Sequence, residues 1–315
     1  MPKMNLIKHS DRMTVEEAYE KFIKFCKAKD LSEKTLEYYD YNFRRFNDFL
    51  EENDLILISQ VSSEVITEYI LFLKEGDCRN TSINTYLKAV RAFLYHCMDL
   101  GYLKSFKIKM LRKTEKIKMT YTDGELRRLL KKPNIKSCGF AEYRNWVLTN
   151  WLLATGNRSR TVRNIKVGDL DLNDGYVVLR EVKNKKQRII PIAKSLIVIL
   201  QEYLTFLNQD KDQYLFCSIY GEKLTAEGIS SAIPTYNQKR GVDKTSIHLY
   251  RHTFAKRWIK NGGDIFRLQK ILGHSNMEMV RKYVNMYGED LKENFEEFNP
   301  INQFVNTRKE HIKLK

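Results

Sequence analysis

Residues 245–283, TSIHLYRHTFAKRWIKNGGDIFRLQKILGHSNMEMVRKY, gather His248, His252 and His274 with Arg251 and a closing Tyr283. A guanidinium fork matches the oxygens of a phosphate or carboxylate and stays charged at any relevant pH. Imidazole exchanges protons near neutrality, and a phenol that has lost its proton is a nucleophile. On a helix His248 and Arg251 stand at i and i+3, so they share a face. Phe254, Ala255 and Trp258 would pack that helix into a core and hold the face still. Asp264 can cap the next helix and Gly273 can end it, with His274 directly after. Ser275 can then cap a helix that carries Tyr283. No carboxylate accompanies the histidines as a ligand, so no metal is expected. Taken alone, a tyrosine beside Val280 and Val284 is most often core, and a single His-x-x-Arg is worthless as a signal.

As an ordered set the pattern is specific. His248-Leu249-Tyr250-Arg251-His252-Thr253-Phe254-Ala255, then Leu272-Gly273-His274-Ser275, then Tyr283 nine residues after His274, resembles the tyrosine recombinase (phage integrase) family. Upstream, Ala154-Thr155-Gly156-Asn157-Arg158 resembles the segment that places the family's first catalytic arginine at the start of a helix. Lys166-Val167-Gly168-Asp169-Leu170-Asp171 follows in register as the family's first strand. Lys183-Asn184-Lys185-Lys186-Gln187-Arg188-Ile189-Ile190-Pro191 resembles the lysine-bearing turn, and counting back from Pro191 puts the family's lysine on Lys183. The resemblance spans nearly all of the second domain. It extends weakly to the first, whose helices look like the core-binding domain of the Xer and integron recombinases. One departure stands out: the family often has Glu three residues after the first arginine, where this chain has Thr161. Ser159 also replaces the usual apolar residue, which leaves Arg160 as runner-up to Arg158.

The resemblance implies a site-specific DNA recombinase of integrase, transposase or resolvase type. Such an enzyme cuts and rejoins strands through a 3′-phosphotyrosine and a Holliday junction. The tyrosyl ester conserves the energy of the cut bond, so no cofactor, ATP or metal is implied. Carried over residue by residue, Arg158 and Arg251 hold the non-bridging oxygens and Tyr283 attacks. His248 is the candidate base, Lys183 protonates the leaving 5′ oxygen, and His274 adds a hydrogen bond to the phosphate. Tyr287 is a poorer second choice of nucleophile, and His252 reads as a structural residue. Two rivals remain: strand relaxation of the type IB topoisomerase kind, and a DNA-binding relative without catalytic activity.

The elements that must position these groups are mostly helical, with a small antiparallel β-sheet. Thr14 with Glu17 makes a capping box, followed by Val15, Ala18, Tyr19, Phe22, Ile23 and Cys26 at helical spacing. Three more amphipathic helices carry Leu36–Leu50, Ile66–Leu73 and Ile83–Cys97, and Gly101 ends the bundle. In the second domain, helices near 122–130 and 143–154 precede a change to alternating pattern. Residues 165–172, 176–182 and 187–192 then read as three strands, and the remainder is again helical. The expected divisions are a tail at 1–13, a four-helix core-binding domain at 14–105, a basic linker at 106–120, a catalytic domain at 121–290 and a tail at 291–315. The tail's Phe295, Phe298, Ile301, Phe304 and Val305 would dock on a neighbouring subunit.

Charge follows this division. Residues 1–105 hold 15 Lys/Arg and 17 Asp/Glu; residues 106–315 hold 40 and 22, and the whole chain is +16. A basic excess concentrated in one part points to nucleic acid. Candidate DNA contacts are Arg44, Arg45, Lys88 and Arg91 on outer helix faces, and Lys107, Lys109, Arg112 and Lys113 in the linker. The expected partners are double-stranded DNA with inverted-repeat core sites, further copies of the chain in a synaptic tetramer, and a possible accessory or partner recombinase. The two domains would then clamp the duplex. With only 13 residues before residue 14 in the sequence, no separate arm-binding domain is expected there. The five scattered cysteines form no CxxC motif and read as reduced thiols. Apolar runs fall short of the roughly 18–20 residues of a membrane span, and no signal peptide is evident, so a cytoplasmic protein is expected.

Overall fold

The computed structural model describes residues 12–112, 119–180, 187–208, 210–274 and 276–287. Lys113, Lys183, the capping Ser275 and the tail 291–315 lie outside the described residues. The chain divides into two compact units, 1–116 and 117–315.

Four helices build the first unit: α1 (Val15–Ala28), α2 (Glu33–Glu52), α3 (Ser63–Glu75) and α4 (Asn80–Asp99). The Thr14–Glu17 capping box starts α1, and Ser62 caps α3 through the Val65 amide. Such caps contribute about 1 kcal/mol each. The stripes read from periodicity point inward. Ala18, Phe22, Phe46, Leu50, Tyr69, Leu87, Phe93 and Leu94 are all buried in one core. Tyr19 stacks on Phe43 and donates its hydroxyl to Asp40 at 2.7 Å.

The stretch read as linker begins later than expected. Residues 106–112 dock on the first unit rather than standing free. Ile108 is buried while Lys107 and Lys109 on either side are exposed, the alternation of an extended segment. Asn84 fixes the end of this segment, donating to the Leu111 carbonyl at 2.9 Å and accepting from its amide at 2.8 Å. Asn80 donates to Arg112 O at 3.2 Å. Of the outer-face cations, Arg44 and Lys88 are exposed. Arg45 is half-buried over the Tyr86 ring, and Arg91 lies over Tyr95.

In the second unit, α5 (Asp123–Leu130) is started by a Thr122–Glu125 capping box. Then comes α6 (Phe140–Thr155), buried around most of its circumference: Tyr143, Trp146, Val147, Leu148, Trp151 and Leu152 are all buried. A helix with buried apolar residues on several faces belongs in the middle of a core, and α6 packs against α5 and three helices that follow it. A short helix, α7 (Ser159–Arg163), follows it.

A meander of β1 (Leu170–Asp171), β2 (Tyr176–Leu179) and β3 (Arg188–Pro191) forms the sheet, antiparallel throughout. Leu170 pairs with Val177 and Val178 with Ile189. Gly175 takes φ +72° in the turn, where Asp171 Oδ1 accepts the amides of Asn173 and Asp174. The first strand is shorter than the 165–172 read from the sequence. Ile165 and Lys166 pair instead with residues 214–215, and the chain then turns through a 3₁₀ segment at Val167–Asp169. Gly168 permits this turn, since its amide bonds Lys211 O and a Cβ there would meet that same oxygen at 2.9 Å. Five more helices follow among the described residues: α8 (Lys194–Leu204), α9 (Ala226–Lys239), α10 (Ile247–Lys260), α11 (Ile265–Leu272) and α12 (Glu278–Tyr287). The architecture is thus mostly α with one small antiparallel sheet, as the sequence implied. Among the described residues no helix is long and apolar enough to cross a membrane.

Candidate active site

Two glycine turns bring distant segments together. Gly156 ends α6 in the left-handed conformation, φ +60°, and Gly273 ends α11 likewise, φ +63°. Both positions suit glycine, because a Cβ makes this backbone region costly. Arg251, on the second turn of α10, reaches both turns. Its Nη1 donates to Gly156 O at 2.8 Å and its Nη2 to Leu272 O at 3.0 Å. Arg158 caps the start of α7 and donates to Gly273 O at 3.3 Å.

His274 follows the second turn and is buried, with Nε2 2.5 Å from Arg251 Nη2. A guanidinium can only donate, so Nε2 is the acceptor here. Tyr283, on α12, is 2% exposed. Its ring lies parallel to that of His274 with centroids 6.3 Å apart. Its hydroxyl stands 2.7 Å from His252 Nδ1.

Electrostatics follow from this crowding. Burial lowers the Arg251 pKa to about 10, with the neighbouring charge of Arg158 acting in the same direction. Burial raises the Tyr283 phenol above its ordinary value, while the Arg251 hydrogen bond and the charges of Arg251 and Arg158 pull it back. The guanidiniums that would bind a phosphate therefore also ease loss of the phenol's proton.

Of the six residues read from the sequence, Arg158, Arg251, His274 and Tyr283 come together. His248 is exposed on the first turn of α10, one turn from Arg251, and Lys183 is not among the described residues. Three further residues join the site. His252, read as structural, is the imidazole against the phenol. Asn157 is 1% exposed and accepts from Arg188, which approaches Gly273 from β3. The signals were present: His252 is i+4 from His248, and Arg188 falls on the inward register of a strand with Ile190. The His248–His252 spacing is also one that a zinc site can use. Among the described residues, however, no group of three His, Cys, Asp or Glu side chains could hold a metal ion.

Comparison with known proteins shows the family and the fold. The model of the phage integrase family matches residues 120–289, and that of the phage integrase SAM-like domain matches residues 14–117. Tyrosine recombinase XerD of Staphylococcus epidermidis is 27% identical over 297 residues, which cover 91% of this chain and 99% of that protein. XerD of Staphylococcus haemolyticus is 27% identical with the same coverage. Among solved structures, lambda integrase residues 75–356 bound to a core site superpose with a TM-score of 0.70 at 16% identity, over 88% of this chain and 98% of that one. The Tn1549 transposon integrase bound to circular-intermediate DNA gives a TM-score of 0.68 at 20% identity, over 87% and 95%. These two likenesses show that the fold is shared. Since the integrase model alone spans more than half of its length, the chain belongs to the phage integrase family, that of the site-specific tyrosine recombinases.

Proposed function

We propose that this protein cuts and rejoins double-stranded DNA at paired core sites, with Tyr283 as nucleophile and Arg158, Arg251 and His274 as the phosphate's ligands. The observation that carries this reading is the convergence of those three groups around one phenol. In the cleavage step the Tyr283 oxygen bonds to phosphorus and the bond from phosphorus to the 5′ oxygen breaks. The phenol's proton passes to a base, and the leaving oxygen takes one from Lys183. The guanidiniums neutralise the charge that builds on the non-bridging oxygens, and removing one costs about 10²–10³ in rate. Tyr283 is 2% exposed, so a phosphate reaches the phenol only when the phenol is uncovered.

His248 is the base by family resemblance, and its exposure suits approach of a DNA backbone. The 2.7 Å contact of His252 with the phenol favours a second reading, in which His252 takes the proton. Single-turnover cleavage across pH separates them. The variant that lacks the base, His248→Ala or His252→Ala, loses the rise in rate with pH that the proton acceptor gives.

The DNA-facing cations would be Arg44, Lys88, Lys107, Lys109 and Arg112, with Arg45, Arg91 and Lys113 beside them. Assembly would be a tetramer on two inverted-repeat sites, with residues 291–315 docking on the neighbouring subunit, in the cytoplasm. To test the reading, the full chain is incubated with a pool of nicked duplexes of randomised sequence and denatured. DNA that stays with the wild-type protein, and is absent with Tyr283→Phe, supports it. No retained DNA leaves a binding-only relative. Relaxation of supercoiled plasmid without site pairing would favour the topoisomerase-like alternative.

A further inference from the structure

Arg188 occupies an unusual place for a cation. It sits in β3 in the same inward register as buried Ile190, between the exposed Ile189 and Pro191. Its guanidinium lies against the Gly273 turn so closely that a Cβ on that glycine would overlap Nη1. Nη2 donates to Asn157 Oδ1 at 3.3 Å, a long bond, while Nε and Nη1 are buried and meet no acceptor. A buried charge is normally paired with an opposite one. None of the ion pairs among the described residues involves Arg188, Arg158 or Arg251.

Three guanidiniums therefore crowd one turn. Arg158 bonds its Gly273 carbonyl, Arg251 bonds its Leu272 carbonyl, and Arg188 covers the Gly273 Cα. Burial, and then the charge of Arg158, hold Arg188 below its ordinary pKa, and the charge of Arg188 acts in the same direction on Arg251. Mutual repulsion without a carboxylate is the signature of a site completed by an anion.

We propose that Arg188 is a third cation of the phosphate site, held beside Arg158 and Arg251 with its charge uncompensated until a phosphate binds. This rests on the reading of Arg158 and Arg251 as phosphate ligands. It assigns Arg188 a part in the site by charge rather than by packing.

The test uses the full chain and inorganic phosphate as probe, titrated by calorimetry at constant ionic strength against chloride. Arg188→Met keeps the bulk and removes the charge, and should weaken phosphate binding by about tenfold or more. Arg188→Lys should retain most of the affinity. If the Met variant does not fold, Arg188→Gln serves in its place. Wild-type affinity in the uncharged variant overturns the proposal. So does a loss in Arg188→Lys as large as in Arg188→Met, because shape rather than charge would then matter. Arg158→Met is the control. If it also binds phosphate normally, the reading of the whole site fails; if it weakens while Arg188→Met does not, only the role of Arg188 fails.

Discussion

Replacing Gly156 by alanine should cost the second unit about 3 kcal/mol, and the figure can be built from two parts. The residue sits at φ +60°, where adding a Cβ costs about 1–2 kcal/mol. That Cβ would also stand 2.8 Å from Leu272 Cδ2 and 2.8 Å from Phe254 Cδ1. Leu272 is fully buried and cannot retreat freely. Forcing a methyl into packed surroundings adds roughly 1–3 kcal/mol. For a unit of this size each kcal/mol lowers the melting temperature by about 2–4 °C, so a fall of about 6–12 °C is expected. All three tryptophans, Trp146, Trp151 and Trp258, lie in the second unit, so tryptophan fluorescence reports its unfolding in urea without interference from the helical bundle. The same wedge would push the Gly156 carbonyl away from Arg251, so phosphate binding should weaken along with stability. A Gly156→Ala protein that loses less than about 1 kcal/mol would refute the claim that this turn is locked between α10 and α11.

Other expectations follow from the same structure. Burial pushes the Glu125 carboxyl up, but the Lys244 hydrogen bond and those from Thr122 outweigh it, so it titrates below its ordinary value. Its contribution to stability is therefore full above the ordinary carboxylate range and is lost as pH falls through the lowered value. Urea midpoints between pH 7 and 3 should fall less steeply for Glu125→Gln, and parallel curves would count against the ion pair. Lys107 and Lys109 flank buried Ile108 and face outward. If both meet phosphates, converting them to glutamine should reduce the slope of log affinity against log salt by about 2, whereas an unchanged slope removes them from the interface. Asn84→Ala leaves the Leu111 amide and carbonyl without their side-chain partner and should destabilise the first unit by about 1–3 kcal/mol in urea, whereas an unchanged midpoint would indicate that the segment is not held there.

Much of this arrangement could be read from residue order. Helical stripes such as Ala18–Phe22–Cys26 need only a period and a core, and Gly273 announced a helix end that the backbone confirms. What could not be read was set by partners far along the chain. The strand expected at 165–172 splits because Ile165 and Lys166 find residues 214–215 across a turn that local alternation does not reveal. Lys107 and Lys109 hid an extended segment whose apolar alternation, Phe106–Ile108–Met110, is too short to outweigh its charge. His252 looked structural because the usual family pattern assigns its chemistry to other residues, yet α12 brings Tyr283 onto its Nδ1. Arg188 reads as one more cation in a lysine-rich turn until the Gly273 turn closes over it.

The most direct test of the central claim is to locate the DNA bond itself. Covalent complexes recovered from the nicked-duplex pool can be digested with trypsin and nuclease, and the nucleotide-bearing peptide sequenced by mass spectrometry. Tyr283 and Tyr287 fall in the same tryptic peptide, so fragmentation must resolve which one is modified. The account predicts the nucleotide on the Tyr283 oxygen alone; a nucleotide on Tyr287 or on any other residue would contradict it.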